Sequence, residues 1–169
     1  MASSRKSKRA KGVSSDLAAH VATRLKQTLT PGARLLLGLS GGIDSMVLLD
    51  VLARVAPRLH FELQALHVHH QLSPNATRWA QVARAACRER GVACRVVKVE
   101  VARGNSVERA ARDARYAALR GVRADFIVLA HNADDQAETV LLQLLRGAGV
   151  KGLAAMPYVR EAGARAAIL

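Results

Sequence analysis

The chain has 169 residues, half of them hydrophobic: enough for one domain with a real core, and too apolar for a disordered chain. No apolar run approaches the roughly 20 residues of a membrane-spanning helix, and no signal-peptide core is visible. Lysine and arginine number 26 against 13 acids, for a net charge of +13, and aromatics are only 3%. That balance points to a polyanion met through phosphates rather than base stacking, with nucleic acid ahead of a membrane surface.

Residues 1–15 open with Arg5, Lys6, Lys8 and Arg9 and show no apolar periodicity. They are expected to be a basic, disordered tail, solvated or brushing RNA. A helix is expected over Asp16–Leu29, with Leu17, Val21 and Leu25 on one face and Thr30-Pro31-Gly32 as its stop. A strand from Arg34 to Leu39 follows. The turn Ser40-Gly41-Gly42 then leads into a helix from Asp44 to about Ala56, apolar enough to be buried on more than one side.

The second strand spans about Phe61–Val68. Ser73 as cap and Pro74 at the first helical position start a helix that ends at Arg90-Gly91. A third strand covers Ala93–Val99. Asn105, with Glu108 three residues on, opens a helix to Arg120. The fourth strand is Phe126–Ala130, a helix runs to about Arg146, and Tyr158–Leu169 is expected to be a hairpin. Alternating strands and helices imply an α/β fold, a doubly wound parallel sheet with helices on both faces. Ligands in such sheets bind at the carboxyl ends of strands. The segments after three strands, at Ser40, His67–His70 and His131–Asp135, should therefore face one crevice.

The chemistry centres on Ser40-Gly41-Gly42-Ile43-Asp44-Ser45. Two glycines let backbone N–H groups approach an anion, and the helix start adds unpaired donors. Ser40 and Ser45 can add hydroxyls. A carboxylate beside phosphates is repelled unless a cation lies between, so Asp44 points to Mg²⁺ and a nucleotide. The competing reading is a tight turn whose Asp44 only caps the helix. The Gly-Lys-Ser/Thr ending of the Walker loop is missing.

Other clusters carry two readings. Asp134, Asp135 and Glu138 are either first-turn acids or, with His131, groups that place Mg²⁺ or a substrate amine. His67 and His69 share a strand face opposite His70, which disfavours zinc; a crevice histidine and a polar strand end remain equal alternatives. Arg109, Arg112, Arg115 and Tyr116 make a helical stripe, either solvated or facing phosphate. Gly147–Gly152 fits Gly-x-Gly-x-x-Gly in letters, but it follows a helix. Cys87 and Cys94 fit neither a redox nor a zinc spacing; two buried thiols in a reducing, cytoplasmic compartment are expected.

Ser-Gly-Gly-Ile-Asp-Ser resembles the PP-loop of ATP pyrophosphatases, which cleave ATP between the α and β phosphates. Four further segments sharpen the resemblance: His67-Val68-His69-His70-Gln71-Leu72, Arg112-Asp113-Ala114-Arg115-Tyr116, His131 to Thr139, and Leu145 to Met156. Together, over about residues 33–157, they resemble the tRNA(Ile)-lysidine synthetase family. The resemblance implies one ATP-binding catalytic domain over 16–169, lacking the family's C-terminal tRNA-recognition regions. It implies ATP and Mg²⁺ as cofactors, and free L-lysine and the CAU-anticodon tRNA(Ile) as substrates, with no membrane partner and a homodimer allowed. Ser40 to Ser45 would hold ATP, Asp44 would lie near Mg²⁺, and Arg112, His131, Asp134 and Asp135 would form the catalytic pocket. Another PP-loop enzyme, such as a tRNA thiolase, and a nucleotide- and RNA-binding module without turnover stay open as alternatives.

Overall fold

A strand covered on both faces needs an uninterrupted apolar run, and Leu35, Leu36 and Leu37 supply one. Each is at most 1% exposed. They lie in β1 (Arg34–Gly38) of the computed structural model, which describes residues 3–101, 106–131, 137, 141–142, 145, 160–161 and 167–168. On one side β1 pairs in parallel with β2 (Glu62–His69), and β2 pairs with β3 (Ala93–Lys98). On the other side it pairs in parallel with β4 (Phe126–Leu129), Leu36 lying opposite Ile127. The short β5 (Arg160–Glu161) and β6 (Ala167–Ile168) complete the order β3-β2-β1-β4-β6-β5. β6 runs parallel to β4, and β5 returns antiparallel to β6, as the expected hairpin requires.

This order places the site. The chain steps outward from β1 to β2 and β3, then comes back to lay β4 on the other side of β1. The direction reverses between the carboxyl ends of β1 and β4, where a doubly wound sheet opens its ligand crevice.

Helices α1 (Ser3–Thr28), α2 (Ile43–Leu59) and α3 (Ala76–Glu89) cover one face. Leu25, Leu49, Leu52, Val55 and Cys87 pack there with Leu35, Leu37 and Ala65. Helix α4 (Val107–Arg120) covers the other, where Tyr116 and Leu119 meet Leu36, Leu66 and Ile127.

Several boundaries differ from expectation. Helix α1 begins at Ser3, so the segment expected to be a disordered tail continues the helix; alanine, lysine and arginine are good helix formers, and no proline interrupts them. Helix α2 carries Pro57 in its last turn and stops at His60, whose φ of 55° is left-handed and whose N–H bonds the Ala56 carbonyl. Ser73 accepts the Asn75 N–H at 3.2 Å and its carbonyl accepts the Ala76 N–H at 3.1 Å, so Ser73-Pro74 builds a turn ahead of α3. Ser106 holds the cap position of α4 without a side-chain cap; Asn105 and Gly147–Gly152 lie outside the described residues.

A clamp joins the starts of β1 and β4. Arg34 donates from Nη2 to Asp125 Oδ1 at 2.6 Å and from Nε to Oδ2 at 3.1 Å, and its backbone N–H adds 2.8 Å. These bonds hold the Asp125 carboxyl at about 2, below its ordinary 3.8. A carboxyl whose folded pKa is lowered adds stability above its unfolded pKa and loses it on acidification. Between about pH 4 and 2, urea midpoints should therefore fall more steeply in the native chain than in Asp125→Asn. Parallel profiles would show that the clamp contributes nothing.

Candidate functional site

The loop after β1 is closed by its own serines. Ser45, 3% exposed, accepts hydrogen bonds from the Ser40 hydroxyl at 3.0 Å and the Gly41 N–H at 3.1 Å. Its own hydroxyl donates to the Gly42 carbonyl at 2.8 Å, and Ser40 accepts the Gly42 N–H at 3.3 Å. Gly41 has φ +89°, a conformation a side chain would strain. Gly42 caps α2 with extended backbone and no side-chain bond, so Asp44 lies inside the first turn rather than at the cap. Met46 is the first N–H to reach an intrahelical carbonyl, that of Gly42 at 3.1 Å. The N–H groups of the first turn before it reach no intrahelical carbonyl, an arrangement that favours an anion, and Asp44 is exposed beside them.

The three neighbouring histidines divide as strand alternation requires. His67 Nδ1–H donates to the Leu39 carbonyl at 2.8 Å, pinning the chain just before Ser40. His69 Nδ1 accepts the Gln71 N–H at 3.2 Å, which leaves the proton on Nε2, 3.3 Å from the Thr77 hydroxyl. His70 turns the other way and lines a cavity of about 230 Å³. Its floor and walls include Gly38, Ser40, Ser45, Leu66 and Leu129, with Arg115 and His131 at the sides. Gly38 makes room for the Leu129 wall: a Cβ there would lie 2.6 Å from Leu129 Cδ2.

Two buried nitrogens of residues that line the cavity, His70 Nδ1 and Arg115 Nε, have no hydrogen-bond partner among the described residues. Buried polar atoms are rarely left so, and two of them on residues that line one cavity favour a polar ligand there. Burial first, and then the Arg115 charge, hold His70 below its ordinary 6.5, so it meets a ligand neutral. Burial likewise lowers His67. A neutral imidazole, a guanidinium N–H and apolar walls suit a heteroaromatic ring carrying its own donors and acceptors.

Among the sequence-predicted residues, the structure brings Ser40, Ser45 and His131 to this cavity. Gly41, Gly42, Ile43 and Asp44 adjoin it through the loop and the first turn of α2. Arg112 is exposed on α4, its guanidinium 5.3 Å from the centre of the Tyr116 ring. Arg115, 5.8 Å from the same ring, is the stripe arginine that enters the cavity. Asp134, Asp135 and Glu138 lie outside the described residues. Sequence reasoning left Arg115 in an undifferentiated stripe and His70 undecided; the available signal was the period of two from Leu66 through Val68 to His70. Among the described residues, no helix is long and apolar enough to cross a membrane.

Comparison with known proteins agrees with this geometry. The chain is 49% identical to a tRNA(Ile)-lysidine synthase of Azoarcus sp. strain BH72 over 76% of its length, and 52% identical to that of Vibrio cholerae over 75%. With the Pseudomonas syringae pv. tomato enzyme it shares 49% over 83%. It spans 29% to 33% of the length of these curated relatives. Among solved structures, a U34-tRNA thiolase from Methanococcus maripaludis matches 82% of this chain and 54% of its own, with a TM-score of 0.64; at 22% identity that likeness concerns the fold. The family model described as the PP-loop domain matches residues 17–168. A glycine turn bracketed by serines at the switch point of a parallel sheet, matched along almost the whole chain, makes this protein a member of the PP-loop domain family.

Proposed function

We propose that the chain is the ATP-binding catalytic domain of a tRNA(Ile)-lysidine synthase. The observation that carries this reading is the pairing of the Ser40–Ser45 anion loop with the adjoining His70–Arg115 cavity, supported by about 50% identity to enzymes bearing that name. The cavity takes the adenine end of ATP, and the loop and helix start take its phosphates through backbone N–H groups, with the two serine hydroxyls bracing the loop from within. Asp44 is a hard oxygen donor on the exposed first turn of α2, which fits a site where Mg²⁺ is shared between one carboxylate and substrate phosphates. When bound, Mg²⁺ supplies neutralisation of charge on the departing pyrophosphate.

The reaction runs in two steps. The C2 oxygen of the wobble cytidine of CAU-anticodon tRNA(Ile) attacks the α-phosphorus of ATP, and the bond to the β-phosphate breaks to release pyrophosphate. The ε-amine of free lysine then attacks C2 and loses a proton, and AMP leaves with the oxygen. An anticodon-loop base can be splayed out at little cost. Asp134 or Asp135 holds the lysine amine or takes its proton, His131 lines the entrance, and Arg112 stabilises charge on phosphate or base.

The test is incorporation of labelled lysine into CAU-anticodon tRNA(Ile) with Mg²⁺-ATP. One AMP released per lysine incorporated, lost in Asp134→Ala and Asp135→Ala without loss of Tm, is the expected result. Equal thermal and kinetic losses would reduce both acids to first-turn helix charges.

A further inference from the structure

The opposite end of the sheet carries a second concavity, a groove of about 640 Å³ at the amino ends of the strands. Four arginines from three elements and a loop line it: Arg34 at the start of β1, Arg84 on α3, Arg95 on β3 and Arg123 just before β4. Asp125 occupies the Arg34 guanidinium, and Glu62, in register with Arg34, is the other acid at this strand end. Arg84, Arg95 and Arg123 are exposed and form no salt bridge among the described residues. Three guanidiniums held round one groove in a chain of net charge +13 call for an extended anion.

The groove's shape and composition narrow the anion. Among the described residues no aromatic side chain lines it, so they offer no stacking platform for bases. Its charges stand on concave walls, which suits a ridge of successive phosphates better than a flat lipid surface. It is also far from the chemistry: at about 3.3 Å per residue, Arg34 and Ser40 stand roughly 20 Å apart along β1.

We propose that this arginine-lined groove is a second RNA-binding surface, holding the phosphodiester backbone of a tRNA segment remote from the modified base. The contact is blind to sequence and serves to position the RNA. It rests on the reading above that the substrate is a tRNA.

The groove contains its own reporter. Cys94 lines it half-buried, while Cys87, the other cysteine, is fully buried. The neighbouring Cys87 thiol and the Arg84 charge lower the Cys94 thiol from its ordinary range, and its partial exposure opens it to alkylation. Alkylation of the chain by iodoacetamide, mapped by peptide mass, should slow severalfold at Cys94 with saturating tRNA at low salt and recover at high salt. In the triple variant Arg84→Gln, Arg95→Gln, Arg123→Gln, tRNA affinity should drop roughly tenfold or more, and the slope of log affinity against log salt should shrink by about 2 to 3. ATP affinity should stay unchanged, which also reports that the variant folds. Unprotected Cys94 with unaltered affinity and slope, while tRNA still binds and lysine is still incorporated, would overturn the groove and leave the proposed function standing. Protection of Cys94 without lysine incorporation would support the groove and count against that function. No tRNA binding at all would sink both.

Discussion

Asp44→Ala is expected to lower Mg²⁺-ATP-dependent AMP release by roughly 10²-fold or more, because bridging a pyrophosphate through a divalent cation is worth several kcal/mol. The residue is exposed on the first turn of α2, and Gly42, not Asp44, is the cap. Removing a first-turn carboxylate forfeits only about 0.3–1 kcal/mol of interaction with the helix dipole. Stability and activity should thus separate: Tm nearly unmoved, turnover nearly gone. A sharper signature lies in the metal dependence. Without Asp44 the loop keeps its N–H donors and loses a negative charge, so ATP in EDTA should bind at least as well as to the native chain. The gain in affinity that Mg²⁺ brings to the native chain should disappear. If Mg²⁺ strengthens ATP binding equally in both proteins, Asp44 is an ordinary helix acid and the metal is held elsewhere.

How much of this site was legible in advance follows from range. Leu35–Leu37, the Ser-Gly-Gly turn and the helix after it are local features, and the structure has them in that order at the sheet's switch point. His67 and His69 opposing His70 is also local, since side chains alternate along a strand. The choice between Arg112 and Arg115 is not local. Both lie on one side of α4, and its rotation against β2 decides which guanidinium is buried; that rotation is set by Tyr116 and Leu119 packing on Leu36, Leu66 and Ile127. The same limit hid the groove, whose arginines come from three elements and a loop far apart in the chain. It also turned one of two expected buried thiols into a half-exposed one, Cys94, because β3 is an edge strand. Helix α1 was missed upstream of Ser15 for another reason: hydrophobic periodicity cannot register a helical segment that has no apolar stripe.

Arg115 and Arg112 should therefore behave differently when each is replaced by alanine. Arg115 lines the cavity with His70, and its buried Nε–H has no hydrogen-bond partner among the described residues. A hydrogen bond from a charged donor to a ligand contributes about 1.5–3 kcal/mol, so Arg115→Ala should weaken ATP binding roughly tenfold to a hundredfold. Removing that charge also removes one of the influences that hold His70 neutral, so the His70 imidazole should titrate closer to its ordinary 6.5, a change observable by NMR. Arg112 lies exposed over Tyr116, and its replacement should leave ATP affinity within about twofold, as an exposed cation outside the cavity should. If it acts on the reaction as proposed, its loss appears in turnover alone. Calorimetric titration of ATP into both variants, together with single-turnover AMP release, separates the two roles. Equal ATP affinities in the native chain and Arg115→Ala would mean that the nucleoside lies elsewhere and that the His70–Arg115 cavity is not its seat.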